Sequence, residues 1–176
     1  MKDIVQRDNP ILRHHAKPVP IKDIGSVRIS GIIADMKKAV NDQKDGVAIA
    51  APQIGVSEQI FVVSGKTLAQ ADKAFKGDGS DLVFINPVIS KLSKEKKVVE
   101  EGCLSVRWLY GKVKRSTRAT IHAYNEKGEK VIRGASGLLA QIFQHETDHL
   151  KGTLFIDHAM EVWEMSEEEI KELQRK

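Results

Sequence analysis

The sequence predicts a mixed domain of helices and sheet on three observations: an early run with helical apolar spacing, a central series of short β-type runs, and a late helix apolar enough to sit inside the sheets. From Ile29 onward, Ile32, Ile33, Met36 and Val40 recur at helical spacing, and Asp45-Gly46 supplies a stop. β-type runs follow at Gln59 to Ser64, Leu82 to Ile85, Val88 to Leu92, Lys97 to Leu104 and Lys112 to Ala123. In the last of these, Val113, Arg115, Thr117, Ala119, Ile121 and Ala123 alternate with more polar partners. Asn125-Glu126-Lys127-Gly128 reads as a turn into a strand at Lys130 to Arg133. Ser136 can cap the late helix, which carries Leu138, Leu139, Ile142, Phe143 and Leu150, and Gly152 lies just past its end. A last helix from Glu167 is announced by Ser166 with Glu169 three places on, a capping-box pattern, and its charge suits a surface. Lys76 to Asp81 is loop-like.

At 176 residues the chain is sized for one domain, residues 1–176, around a single core. Its 41% hydrophobic and 30% charged residues match soluble globular proteins, and no apolar run approaches the ~18 residues of a membrane span. Met1 to Arg7 contain no apolar core followed by a small-residue cleavage site, so the expected location is cytoplasmic. The net charge of +4 is modest. Basic residues gather at Lys94, Lys96 and Lys97 and at Lys112, Lys114 and Arg115, with only two Trp and two Tyr in the chain, which favours a solvated basic face over a nucleic-acid groove. One cysteine, Cys103, allows no internal disulfide and is either a small hydrophobe or a chemical residue.

His145-Glu146-Thr147-Asp148-His149 contains H-E-x-x-H within the late helix. Positions i and i+4 share a face, so His145 and His149 can aim at one cation. They project from the apolar stripe of Leu138 and Ile142, where two histidines without a partner would be costly to desolvate. A catalytic cation needs a third protein ligand and an open position for water. In the metalloprotease pattern H-E-x-x-H-x-x-G-x-x-H the chain matches Gly152 but has Phe155 in the last place, which disfavours that class. His158, after a β-type run at Phe155 to Asp157, and Cys103 remain, with Cys103 slightly ahead because thiolate is a strong ligand for zinc or iron(II). Glu167 to Glu169 already have a role in the first turn of a helix.

Gly46-Val47-Ala48-Ile49-Ala50-Ala51-Pro52-Gln53, Glu101-Gly102-Cys103-Leu104-Ser105 and Gln144-His145-Glu146-Thr147-Asp148-His149 together resemble the three motifs of the peptide deformylase family, in the family's order. The likeness runs from Asn9-Pro10-Ile11-Leu12-Arg13 to Leu154-Phe155-Ile156-Asp157. It implies an α+β fold in which antiparallel β-sheets wrap a central metal-binding helix, with an N-terminal and a C-terminal helix. It further implies metal ligands Cys103, His145 and His149, with Glu146 moving protons and the Gln53 amide and Leu104 N–H stabilising the oxyanion. The implied reaction removes the formyl group from N-terminal formylmethionine of new polypeptides, on N-formylmethionyl peptides or nascent chains near the ribosome. The implied cofactor is one divalent metal, iron(II), with zinc, nickel or cobalt as replacements.

Gly46, Val47 and Ala48 are expected to lie against bound peptide, and Leu138, Ile142 and Val99 to wall a pocket for the methionine side chain. Ala48 departs from the glycine usual in the family, and its methyl would narrow the cleft or alter backbone pairing there. Glu101, on the Cys103 strand, resembles a family acid paired with a base that is here Arg115.

Overall fold

The computed structural model describes residues 3–73 and 75–175 and contains eight strands and four α-helices among them. The elements are α1 (Val27–Asn41), β1 (Ala48–Ala50), β2 (Ile60–Val63), α2 (Gly65–Ala71), β3 (Leu82–Leu92) and β4 (Lys96–Gly102). There follow β5 (Leu109–Ser116), β6 (Arg118–Tyr124), β7 (Lys130–Ser136), α3 (Gly137–Leu150), β8 (Glu161–Glu164) and α4 (Glu167–Arg175). All strand pairs are antiparallel. They form a five-stranded sheet in the order β1-β2-β3-β6-β7 and a three-stranded sheet in the order β4-β5-β8.

Along β1, β2 and the start of β3 the larger sheet is covered on both faces. Every residue of β2 is buried because Ile60 and Val62 point into a core with Ile29, Ile32, Ile33, Met36 and Val40 of α1, while Phe61 and Val63 point into a core with Leu139, Ala140, Ile142 and Phe143 of α3. The second core is locked by three rings. Phe61 stacks on Phe84 with centroids 4.7 Å apart, and Phe143 meets Phe84 edge-on at 5.2 Å. A third cluster, with Leu12, Val106, Val113, Leu154 and Phe155, lies under the smaller sheet.

The α+β arrangement of antiparallel sheets around a central helix agrees with the sequence-based expectation, and local differences have physical causes. Lys112 to Ala123 is two strands rather than one, because the chain changes sheets at Thr117. There the Gln144 carboxamide takes both the N–H and the carbonyl of Ser116, at 3.0 Å each, and Thr117 N–H bonds to the Glu95 carbonyl at 3.0 Å. Leu82 to Ile85 and Val88 to Leu92 are instead one strand, joined through a register shift at Asn86, which has φ 50 and whose amide clasps the Val19 backbone. Phe155 to Asp157 is a 3₁₀ turn and not a strand, with the Asp157 carboxylate accepting the Leu154 N–H at 2.8 Å. Ser136 precedes α3 but makes no side-chain cap bond, since it is still paired with Arg118 as the last residue of β7. The Ser166–Glu169 capping box of α4 is present in both directions.

Phe61→Ala should cost ~3–5 kcal/mol of folding stability, because it removes the ring that both other phenylalanines contact. Urea titration of the metal-loaded protein measures this.

Candidate metal centre and active site

α3 is held rigidly between the sheets, and it presents His145 and His149 on one face, as i and i+4 spacing requires. Cys103 arrives from the smaller sheet, one residue past the end of β4. One ligand atom from each of Cys103, His145 and His149 lies within 4.8 Å of the others, and His149 Nε2 is 3.2 Å from Cys103 Sγ. The three approach one another as the ligands of a single ion must. His158 lies elsewhere, exposed, with Nε2 3.3 Å from an Asp148 oxygen.

Glu101 of β4 and Arg115 of β5 are both buried, and although the register places them four residues apart their side chains meet. Arg115 Nε donates to Glu101 Oε1 at 2.8 Å and Nη2 to Oε2 at 2.9 Å, while Nη1 donates to Asp148 Oδ2 at 2.6 Å. Burial opposes ionisation of Glu101, but the hydrogen bonds from Arg115 and His145 outweigh it and bring the carboxyl down to about 2. Burial likewise opposes the Arg115 charge, and Glu101 and Asp148 hold it above its ordinary value. An ionised carboxylate only accepts, so His145 Nδ1, 2.9 Å from Glu101 Oε2, carries the proton and leaves Nε2 free for an ion.

Glu146 is 3% exposed, and its Oε2 is one of two buried side-chain atoms without a partner among the described residues, the other being His149 Nδ1. Burial pushes the Glu146 carboxyl up to about 7. Unpaired buried polar atoms beside a Cys/His/His cluster fit a site built for an ion and a polar reactant. Gln53, also buried, lies against Cys103 and Ser105. Its Nε2 is 3.5 Å from Cys103 Sγ and 3.2 Å from Ser105 Oγ, and its Oε1 accepts the Ala50 N–H at 2.8 Å.

A cavity of about 330 Å³ opens onto this cluster. Val47, Ala48, Gln53, Glu101, Cys103, Leu104, Leu138, Ile142, His145 and Glu146 line it, so it gathers most of the residues singled out from sequence. Gly46, Val99 and the buried His149 are not in the lining. Gly46 packs against the end of α1, where a Cβ would sit 2.1 Å from the Val40 carbonyl oxygen, so its role is close backbone approach. Val99 shares a strand face with Glu101 but lies two residues, ~7 Å, farther along β4.

The lining also contains Gln141, Arg107, Trp108 and Tyr110, which the motifs do not flag. Gln141 is one helical turn before His145, a spacing that could have found it. Arg107 is ion-paired with Asp45, hydrogen-bonded to Gln43 at 2.9 Å and stacked over Trp108 at 4.7 Å. The Tyr110 ring covers Gly102, where a Cβ would be 2.6 Å from Cε1.

An H-E-x-x-H helix, a cysteine delivered by a neighbouring strand and a buried carboxylic acid in one cavity define a metal-dependent hydrolase. The sequence comparisons narrow this class to one family. The model of the polypeptide deformylase family matches residues 1–164. Peptide deformylase 2 of Clostridium acetobutylicum is 38% identical over 158 residues, covering 89% of this chain and 94% of that protein. The crystal structure of peptide deformylase from Thermotoga maritima superposes with a TM-score of 0.78 at 34% identity, covering 92% of this chain and 99% of that one. A Met-Ala-Ser-bound class I type b peptide deformylase from Acinetobacter baumannii gives 0.81 at 31% identity, covering 90% and 99%. The chain belongs to the peptide deformylase family, whose members are metal-dependent hydrolases that remove the N-formyl group from nascent polypeptides. Among the described residues no helix is long and apolar enough to cross a membrane.

Cys103→Ala and His149→Ala should each lose the metal, while His158→Ala should keep it; elemental analysis of the purified variants reads this directly. A normal metal content in Cys103→Ala would assign the third ligand elsewhere.

Proposed function

We propose that this chain deformylates N-terminal formylmethionine with Cys103, His145 and His149 as metal ligands and Glu146 as the proton carrier. The observation that carries this reading is the unpaired Glu146 Oε2, buried in the cavity that also reaches the ligand cluster, Gln53 and Leu104. The divalent cation, proposed as iron(II) with zinc, nickel or cobalt as replacements, would supply Lewis acidity and a water activated near neutral pH.

Glu146, with its carboxyl near 7, can accept a proton from the attacking water and deliver it to the leaving amine. The Gln53 carboxamide and the Leu104 N–H would face the formyl oxygen as charge develops on it, and losing one such donor typically costs ~10²-fold or more. Glu101 and Arg115 would do no chemistry; they would orient His145 and the Cys103 strand.

Leu138 and Ile142 would receive the methionine side chain, with Val47 and Ala48 beside the peptide backbone. The A. baumannii relative was crystallised with Met-Ala-Ser, a tripeptide of the kind that deformylation leaves behind. Ribosome proximity and a cytoplasmic location belong to the same proposal.

Glu146→Gln should retain its metal yet lose ~10²- to 10⁴-fold in turnover, measured as formate release by protein of verified metal content. A second expectation follows from the size of the reacting group. Formyl-Met-Ala-Ser should release formate much faster than acetyl-Met-Ala-Ser releases acetate, because a close fit around the carbonyl has no room for a methyl. Replacing Met by Asp in the formyl peptide should lower kcat/KM at least ~10-fold. Cleavage of internal bonds of an unblocked peptide, without formate from the formyl substrate, would replace this reading with a metallopeptidase.

A further inference from the structure

Two open sheet edges flank the cavity, one from each sheet. β4 is an outer strand, so one side of its backbone has no strand partner among the described residues. The Glu100 carbonyl points to that side, because its cross-strand partner Lys112 sends its own carbonyl the other way, to Met160 N–H at 2.8 Å. By the period of two, Gly102 presents its N–H and carbonyl to the same side.

β1 is the outer strand of the larger sheet. The Val47 carbonyl accepts the Ser64 N–H at 2.8 Å, toward β2, so alternation turns the backbone groups of Ala48 and Ala50 to the open side. On each edge a glutamine closes one position. Gln53 takes the Ala50 N–H, and Gln141 Nε2 donates to the Glu100 carbonyl at 2.9 Å.

Gln141 reaches across from α3, half-buried, one turn before His145 and on the face that carries Leu138 and Ile142. It therefore ties the helical wall of the side-chain pocket to its strand wall. We infer that Gln141 is a specificity-determining residue: its latch to the Glu100 carbonyl closes the pocket between α3 and β4 and withdraws that carbonyl from a peptide backbone. This rests on the deformylase reading. A peptide shifted along the cleft would meet a carbonyl and an N–H already engaged, which costs it those hydrogen bonds. A side chain broader than methionine would have to part α3 from β4.

The test measures formate release from formyl-Met-Ala-Ser and formyl-Phe-Ala-Ser by wild type, Gln141→Met, Gln141→Glu and Gln141→Ala at verified metal content. Gln141→Met keeps the length without the donor, and Gln141→Glu keeps the shape but replaces the donor with an acceptor. Both should raise the Phe-to-Met ratio of kcat/KM about fivefold to tenfold, through KM. Unchanged ratios in both variants would overturn the latch. A shift in Gln141→Ala with a wild-type ratio in Gln141→Met would assign a steric wall instead and overturn it equally. Absence of formate from wild type would overturn the deformylase reading itself.

Discussion

The buried pair of Glu101 and Arg115 is the interaction on which the site depends. It joins β4 to β5 through two hydrogen bonds, reaches α3 through Asp148, and reaches His145 through the second carboxylate oxygen. Burying two charges is costly, and here the cost is offset by near-complete satisfaction of both groups; removing either partner would leave a lone buried charge, a loss of ~3–5 kcal/mol in comparable cases. The same carboxylate sets which nitrogen of His145 carries the proton. A single side chain thus fixes strand position, helix position and imidazole tautomer together.

Rigidity comes from the other face of α3. The three phenylalanines and the apolar residues around them clamp the helix onto the five-stranded sheet, while the Gln144 amide pins it to Ser116 of the smaller one. The candidate ligands from the helix and the one from the strand end therefore approach each other on elements whose separation is set by packing, not by loops. That is the arrangement a site needs if its geometry is to hold within fractions of an ångström.

Much of this was legible because the signals are local. The i, i+4 histidines, the stripe of Leu138 and Ile142, and the capping box at Ser166 each lie within a few residues, and the antiparallel α+β plan followed from them together with the family resemblance. What stayed hidden depends on distant partners. The alternation from Val113 to Ala123 runs unbroken through the sheet change at Thr117, because periodicity records which face is buried and not which sheet buries it. β1 and β8, of three and four residues, are defined by pairing alone. Val99 lies two residues along β4 from Glu101 and Gly46 packs against the end of α1, so neither is in the cavity lining. Gln141 carried the helical spacing of the histidines, but its polarity set it apart from an apolar stripe.

The two outer strands belong to sheets that do not pair with each other. A peptide lying between Ala48 and Gly102 would hydrogen-bond to both, and so would serve as the missing strand of a continuous layer. Binding would then add to cohesion of the whole molecule, raising its melting temperature with the logarithm of free peptide concentration above its Kd. In that sense the substrate would be a temporary structural member, and each product release would remove a beam from the building.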